Sequence, residues 1–294
     1  MKIVINHPHL CFINLKVWRI KTKLVSIVFI ISIFTYGLPI LAQNPQQLVL
    51  PKISEEEIQK IGQLIFINEC GGKIESLLSW NEGEDFASLG IGHFLWYPKG
   101  KEGPFQESFP LFLEFLKQNG VKLPGWIEDS QDLDSPWNTR EEFIRNKDHK
   151  MTELRELLIE TTDLQTVFII ERFKKSVPKL FESAPIELHD HIETQLHRVA
   201  YSNMGMYALI DYVNFKGDGT RLTERYKGEG WGLLQVLEEM NGTGAGLSAV
   251  EDFANAAIKV LKRRAINSPP ERDEKRWIPG WENRVRTYVS EARK

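Results

Sequence analysis

The stretch FINECGGKIESLLSWNEGEDFASLGIGHFLWY, residues 66–97, decides how the rest of the chain is read. A helical run carries Glu69, and Gly71 and Gly72 then break it. A polar segment follows with Glu82, Glu84 and Asp85. It leads into a short apolar run holding Ser88, Gly90, Gly92 and His93. One carboxylate at a helix end and further carboxylates on the next turn match what glycosidic bond cleavage requires, two acids facing each other across a cleft.

Upstream, Ser54 and Glu57 form a capping box that opens the helix leading to Glu69. Ile58, Ile61, Leu64 and Ile65 recur at helical spacing on one face, and Gly71 stops it. A polar turn at 81–85 separates residues 74–80 from 86–97, and the second run suits small strands or an irregular hairpin better than helix. Beyond residue 108 the signals are helical. PLFLEFLKQNG ends at Gly120, and residues 121–138 read as a loop. A second capping box, Thr139 with Glu142, opens a short helix. Further helices are expected over 149–160, 163–183 (bent or broken at Pro178), 186–199 and 204–215. Residues 216–230 form a polar loop before the short helix WGLLQVLEEM. Ser248 with Glu251 is a third capping box before a long helix, and a last helix covers 280–292. The fold class expected is α+β, predominantly α.

Residues 1–42 stand apart. Lys16, Arg19, Lys21 and Lys23 precede the apolar run LVSIVFIISIFTYGLPILA. A basic flank before an apolar run reads as a secretory signal. Uncleaved, residues 24–42 are long enough to anchor in a bilayer. Both alternatives place the remaining chain outside the cytoplasm, in the periplasm or beyond the cell. Residues 43–53 read as a linker. Five of the 37 basic side chains and none of the 40 acidic ones fall in residues 1–42, so the rest of the chain carries a net charge of −8. That disfavours nucleic acid as a partner. Only Cys70 remains beyond that segment, so packing rather than a disulfide must hold the fold.

On these residues the chain resembles the phage-type lysozymes. In that family a helix ends in a catalytic Glu, and a hairpin ends in a Thr-Ile-Gly-x-Gly-His run. The run here is Ser88-Leu89-Gly90-Ile91-Gly92-His93. ALIDYVNFKGDG at 208–219 is similar to the central helix of the family's second lobe, and GWENRVRTY at 280–288 to its last helical segment. Residues 98–200 have no counterpart and read as a helical insert in a lysozyme-like domain spanning 54–294.

The resemblance implies a small hairpin lobe packed beside a helical lobe. It implies Glu69 as the general acid, kept protonated by partial burial. It places the second carboxylate six residues before Ser88, at Glu82, with Asp85 and Glu84 as close rivals. Ser88 would hold the attacking water. His93 is expected behind Glu69, and with Asn214 and Gln235 it completes the substrate-binding set. Trp80, Trp96, Tyr97 and Trp231 are candidates for stacking on sugar faces.

His189, His191 and His197 lack the spacing of a zinc helix and read as a solvated face, so no metal or cofactor is expected. The expected function is an exported hydrolase of peptidoglycan or a related N-acetylamino-sugar polymer, with lytic transglycosylase or chitosanase-like activity as near variants. The alternative is a noncatalytic wall-binding or envelope-structural protein on the same scaffold.

Overall fold

Gly71 terminates the first helix as its glycine signal dictates. It sits in the left-handed region at φ 60°, where a side chain would be strained, and its N–H returns to Ile67 O at 2.9 Å. The computed structural model describes residues 49–294 except 104, 131 and 147. The secretory or anchoring segment and most of the linker therefore lie outside the described residues. No helix among those described is long and apolar enough to cross a membrane.

Helix α1 (Glu55–Cys70) begins at the expected capping box, with Ser54 and Glu57 each satisfying the other's backbone N–H. A 3-10 turn (Ile74–Leu77) leads to three short antiparallel strands, β1 (Leu78–Ser79), β2 (Ala87–Leu89) and β3 (Phe94–Trp96), in the order β1-β2-β3. Ser88 pairs with Ser79 on one side and Leu95 on the other. Because side chains alternate along a strand, Ala87 and Leu89 enter the core while Ser79, Ser88 and Leu95 share the opposite face.

The rest is helical: α2 (Phe109–Gln118), α3 (Gly125–Glu128), α4 (Arg140–Arg145), α5 (His149–Glu160), α6 (Thr162–Ser183), α7 (His189–Ala200), α8 (Gly205–Lys216), α9 (Leu233–Glu239), α10 (Leu247–Asn267) and α11 (Ile278–Ala292). The fold is thus α+β and predominantly α.

Several expectations change. Residues 121–138 contain the short helix α3 rather than only loop. Helix α6 runs through Pro178 without a break. The second capping box is half formed: Thr139 accepts from Glu142 N, but the Glu142 carboxylate turns to Asn138 N. The third does not form, because α10 starts at Leu247 after Gly246, whose φ of 65° needs no side-chain cap.

Residues 98–200 are not an appendage. Helix α6 packs against α1, α2 and α8, and α7 packs against α8, α9 and α10. Phe112, Leu154, Phe173 and Leu196 are fully buried in the same core as Ile65, Leu209 and Val285. Two glycines seat the 90–93 turn on α6. Gly90, at φ 70°, lets Ile91 N donate to the buried Gln165 Oε1 at 2.7 Å. A Cβ on Gly92 would lie 2.6 Å from the Phe94 ring and 2.9 Å from Ile169 Cδ1, so only glycine fits there.

Candidate active site

Glu69 occupies the last turn of α1, where the helix carbonyls make the surroundings negative. A carboxylate there needs cations, and the C-terminal helices bring them. Arg284 on α11 donates to Glu69 Oε1 at 2.8 Å, and Asn214 on α8 donates to the same oxygen at 3.0 Å. The other oxygen, Oε2, lies 3.5 Å from His93 Nδ1. The Glu69 side chain is 12% exposed.

Arg284 is itself anchored. Its Nε and Nη2 donate to the two oxygens of Asp211 at 2.9 and 2.8 Å, and Asp211 is fully buried. Tyr288 donates to Asp211 Oδ2 at 2.6 Å, and Asn68 reaches both Tyr207 Oη and Asp211 Oδ1. α1, α8 and α11 thus meet in one polar network inside an apolar core.

These contacts correct the expected protonation of Glu69. Burial is the largest single influence and would raise its pKa, but Arg284, His93 and Lys216 outweigh it, and the carboxyl is held below its usual value. In the free protein Glu69 is ionised at neutral pH. Its neighbour Cys70 is buried, with Sγ 3.7 Å from His93 Nε2, and burial pushes the thiol pKa up to about 12. A thiol so raised is no nucleophile.

His93 sits between Glu69 and Cys70 at φ 47°, a left-handed conformation uncommon for a non-glycine residue. The Gly92 turn holds it there: Gly92 O accepts from Asn214 Nδ2 at 3.2 Å. Asn214 Oδ1 is buried and has no partner among the described residues, so it is an acceptor free for a ligand N–H or O–H.

The three acids of the hairpin turn differ in burial. Glu82 and Asp85 are exposed, whereas Glu84 is half-buried. Burial raises the Glu84 pKa against opposing pulls from the Asn81 amide, His93 and Arg272. Glu84 is therefore the hairpin carboxylate that interacts with His93, while Glu82, favoured on spacing, is exposed on the turn. The turn curls so that Trp80 Nε1 donates to Glu84 O at 2.8 Å, which leaves residue 82 at its outer tip. Ser88 is buried on the outward face of β2, and its hydroxyl has no hydrogen-bond partner among the described residues.

Gln235 does not face the site. It is buried, its Oε1 accepts from Gly232 N at 3.1 Å, and its Nε2 donates to Gly219 O at 3.2 Å. It ties α9 to the loop after α8 and is withdrawn as a binding residue. Trp80, Trp96, Tyr97 and Trp231 are 4%, 1%, 4% and 3% exposed, so all four are core residues rather than sugar platforms. His189 and His191 bond the carbonyls of Ala184 and Leu237, and His197 stacks on Tyr201.

Sequence reading passed over Arg284, Asp211 and Lys216 as site residues. The signal was an Asp inside the apolar run ALIDYV, since an acid on a buried helix face demands a cation partner. Two concavities, of about 260 and 230 Å³, lie elsewhere. One is lined by residues such as Pro51, Tyr201 and Met204, the other by Trp96, Trp126, Asp129 and Lys150, and neither contains a candidate catalytic residue.

No protein-family model, curated protein or solved structure matches this chain.

Proposed function

We propose that the chain is a lysozyme-like glycoside hydrolase acting on peptidoglycan or a related N-acetylamino-sugar polymer, with Glu69 as its essential carboxylate. The observation that carries this reading is the position of Glu69. It ends α1, is clamped by Arg284 and Asn214, and lies beside His93 of the Gly-Ile-Gly-His turn, with Glu84 on the following hairpin. In the reaction the acid gives its proton to the glycosidic oxygen as the C–O bond breaks. Water then adds to the anomeric carbon and loses its proton to a base.

Glu69 serves as the acid once it is protonated. His93 Nδ1, 3.5 Å from Oε2, lies on the path for that proton. Exclusion of water by a bound sugar would strengthen burial, already the largest influence on this carboxyl. Ser88 and Glu84 then position the water, and Asn214 Oδ1 accepts from a substrate amide or hydroxyl.

The opposed pKa directions favour a second assignment on the same pair. Glu84, whose proton is retained longer, would donate it, and Glu69, ionised, would act as base. Replacement by glutamine separates the two. Glu69→Gln should abolish wall lysis in a zymogram, by a factor of about 10³ or more, in a protein with an unchanged circular-dichroism spectrum. Activity retained in folded Glu69→Gln would end the hydrolase reading. With Glu69 as the acid, kcat/KM falls as pH rises through its lowered pKa, and that limb persists in Glu84→Gln. With Glu84 as the acid, the alkaline limb disappears in Glu84→Gln; His93 lowers both carboxyls, so His93→Gln moves the limb to higher pH in either case and only the Glu84 variant separates the assignments.

A further inference from the structure

Three cations on the C-terminal helices are linked through shared aromatic rings. The Arg284 guanidinium carbon lies 4.1 Å from the Phe215 ring centre, and Lys216 Nζ lies 3.9 Å from the same centre. Lys216 Nζ is also 4.1 Å from the Trp281 ring, which Arg264 approaches at 5.3 Å. Arg264 continues to Trp231 at 4.2 Å.

Two of the three have carboxylate partners. Arg284 pairs with Glu69 and Asp211, and Arg264 with Glu274 at 2.7 and 3.0 Å. Lys216 has none: no carboxylate lies within 4 Å of its ammonium. That holds for every acidic side chain, because none of the undescribed residues is Asp or Glu. Among the described residues the ammonium donates no hydrogen bond either.

This is a costly placement. Lys216 is half-buried between two arginines, and burial and their repulsion push its pKa well down. The rings of Phe215 and Trp281 offset only part of that cost. An apolar side chain of the same length would fill the space between them without it. Residues that lower stability where a simpler one would raise it mark functional positions.

The position is also specific. Lys216 closes the last turn of α8, two residues after Asn214, which touches Glu69. Its charge reaches Glu69 and helps to lower that carboxyl, though the two do not pair. A lysine offers three donors, and aromatic faces leave them unsatisfied. The ligand group that completes this set is an anion.

We infer that Lys216 recognises a carboxylate carried by the glycan, held in place by Phe215 and Trp281 beside the Glu69 site. The inference rests on the glycosidase reading and adds to it a substrate feature, a negatively charged substituent close to the bond that is cut. On an amino-sugar polymer the carboxylate belongs either to an ether-linked lactyl group or to a peptide attached to it.

The test compares Glu69→Gln with Glu69→Gln/Lys216→Met, so that turnover is absent and any effect of freeing Arg284 is common to both. Binding is measured to soluble peptidoglycan strands with free carboxylates and to the same strands after carbodiimide amidation. The Glu69→Gln protein should bind the free-carboxylate strands at least tenfold more tightly than the amidated ones. Adding Lys216→Met should remove that preference and raise the Tm at neutral pH by a few degrees. Lys216→Arg, which keeps the charge, should retain part of the preference. Strands stripped of peptide distinguish the two sources, since preference persists there only if the lactyl carboxylate is read.

A preference surviving Lys216→Met overturns the inference, as does equal binding of free and amidated strands. If the Glu69→Gln protein binds neither polymer and the unaltered protein fails to lyse walls, the glycosidase reading falls and takes this one with it. If walls are lysed and Lys216→Met changes nothing, only the Lys216 inference fails.

Discussion

The two sides of the candidate site are built in opposite ways. On the helical side, Glu69 is tied through Arg284 to Asp211 and Tyr288, and both carboxylates have a cation. On the hairpin side, Glu84 accepts from the Asn81 amide of its own turn and is paired with no cation among the described residues. The outcome for the two carboxyls is opposite in sign. Cations hold Glu69 below its usual pKa, while burial holds Glu84 above it. Proximity in sequence does not set a carboxylate's state. The partners that the fold delivers do, and for Glu69 those partners arrive from residues 214 and 284.

The largest expected effect comes from breaking the helical side. Arg284→Met would leave Asp211 buried at 0% exposure without its cation. Loss of one partner from a buried pair costs about 3–5 kcal/mol, so urea unfolding should show a midpoint lowered accordingly. Adding Asp211→Asn should recover part of that loss. Simple addition of the two penalties would show that the residues do not act as a unit.

Gly92→Ala tests the seat on which the hairpin side rests. The added methyl meets Phe94 and Ile169, and overpacking of this kind costs about 1–3 kcal/mol. Because Gly92 O also accepts from Asn214, the same change should disturb His93, visible as a shift of its imidazole resonances.

A smaller effect sharpens the contrast in sign. Glu69, with its pKa lowered, contributes stability that is present above its unfolded value and lost as pH falls through the folded one. Glu84, with its pKa raised, contributes stability that is present below its unfolded value and lost as pH rises through the folded one. Melting curves across the window around pH 4.5 should therefore respond oppositely to Glu69→Gln and Glu84→Gln. Glu84 is partly solvated, so its share should stay below about 1 kcal/mol, or roughly 2–4 °C in Tm. Parallel responses would remove the distinction between the two sides.

Least of all should change in Glu82→Gln. An exposed residue at the tip of a turn contributes within about 0.5 kcal/mol, and wall lysis should be unaltered. A large loss of activity there would restore Glu82 in place of Glu84.

The legibility of the chain follows how local each signal is. The Ser54–Glu57 box, the Gly71 stop, and helix limits at 149–160 and 204–215 were readable to within a residue or so, because caps and periodicity act over a few positions. The box at Ser248 was misleading because Gly246 had already set the turn one residue before the helix. Four aromatics and Gln235 were legible as residue types but not as core residues, since their burial depends on what packs over them.

By itself the sequence determined a mostly helical chain with a short strand meander, a glutamate delivered to a helix end, and a glycine-rich turn leading to His93. These depend on backbone preferences within a few residues. The tertiary structure decided which carboxylate on the hairpin turns inward, that Glu69 is ionised, and that Arg284, Asp211 and Lys216 belong to the site. Charge states depend on groups brought together through space. The arginine that governs Glu69 lies 215 positions away along the chain, and only packing of α11 against α8, and of α8 against α1, brings it to 2.8 Å.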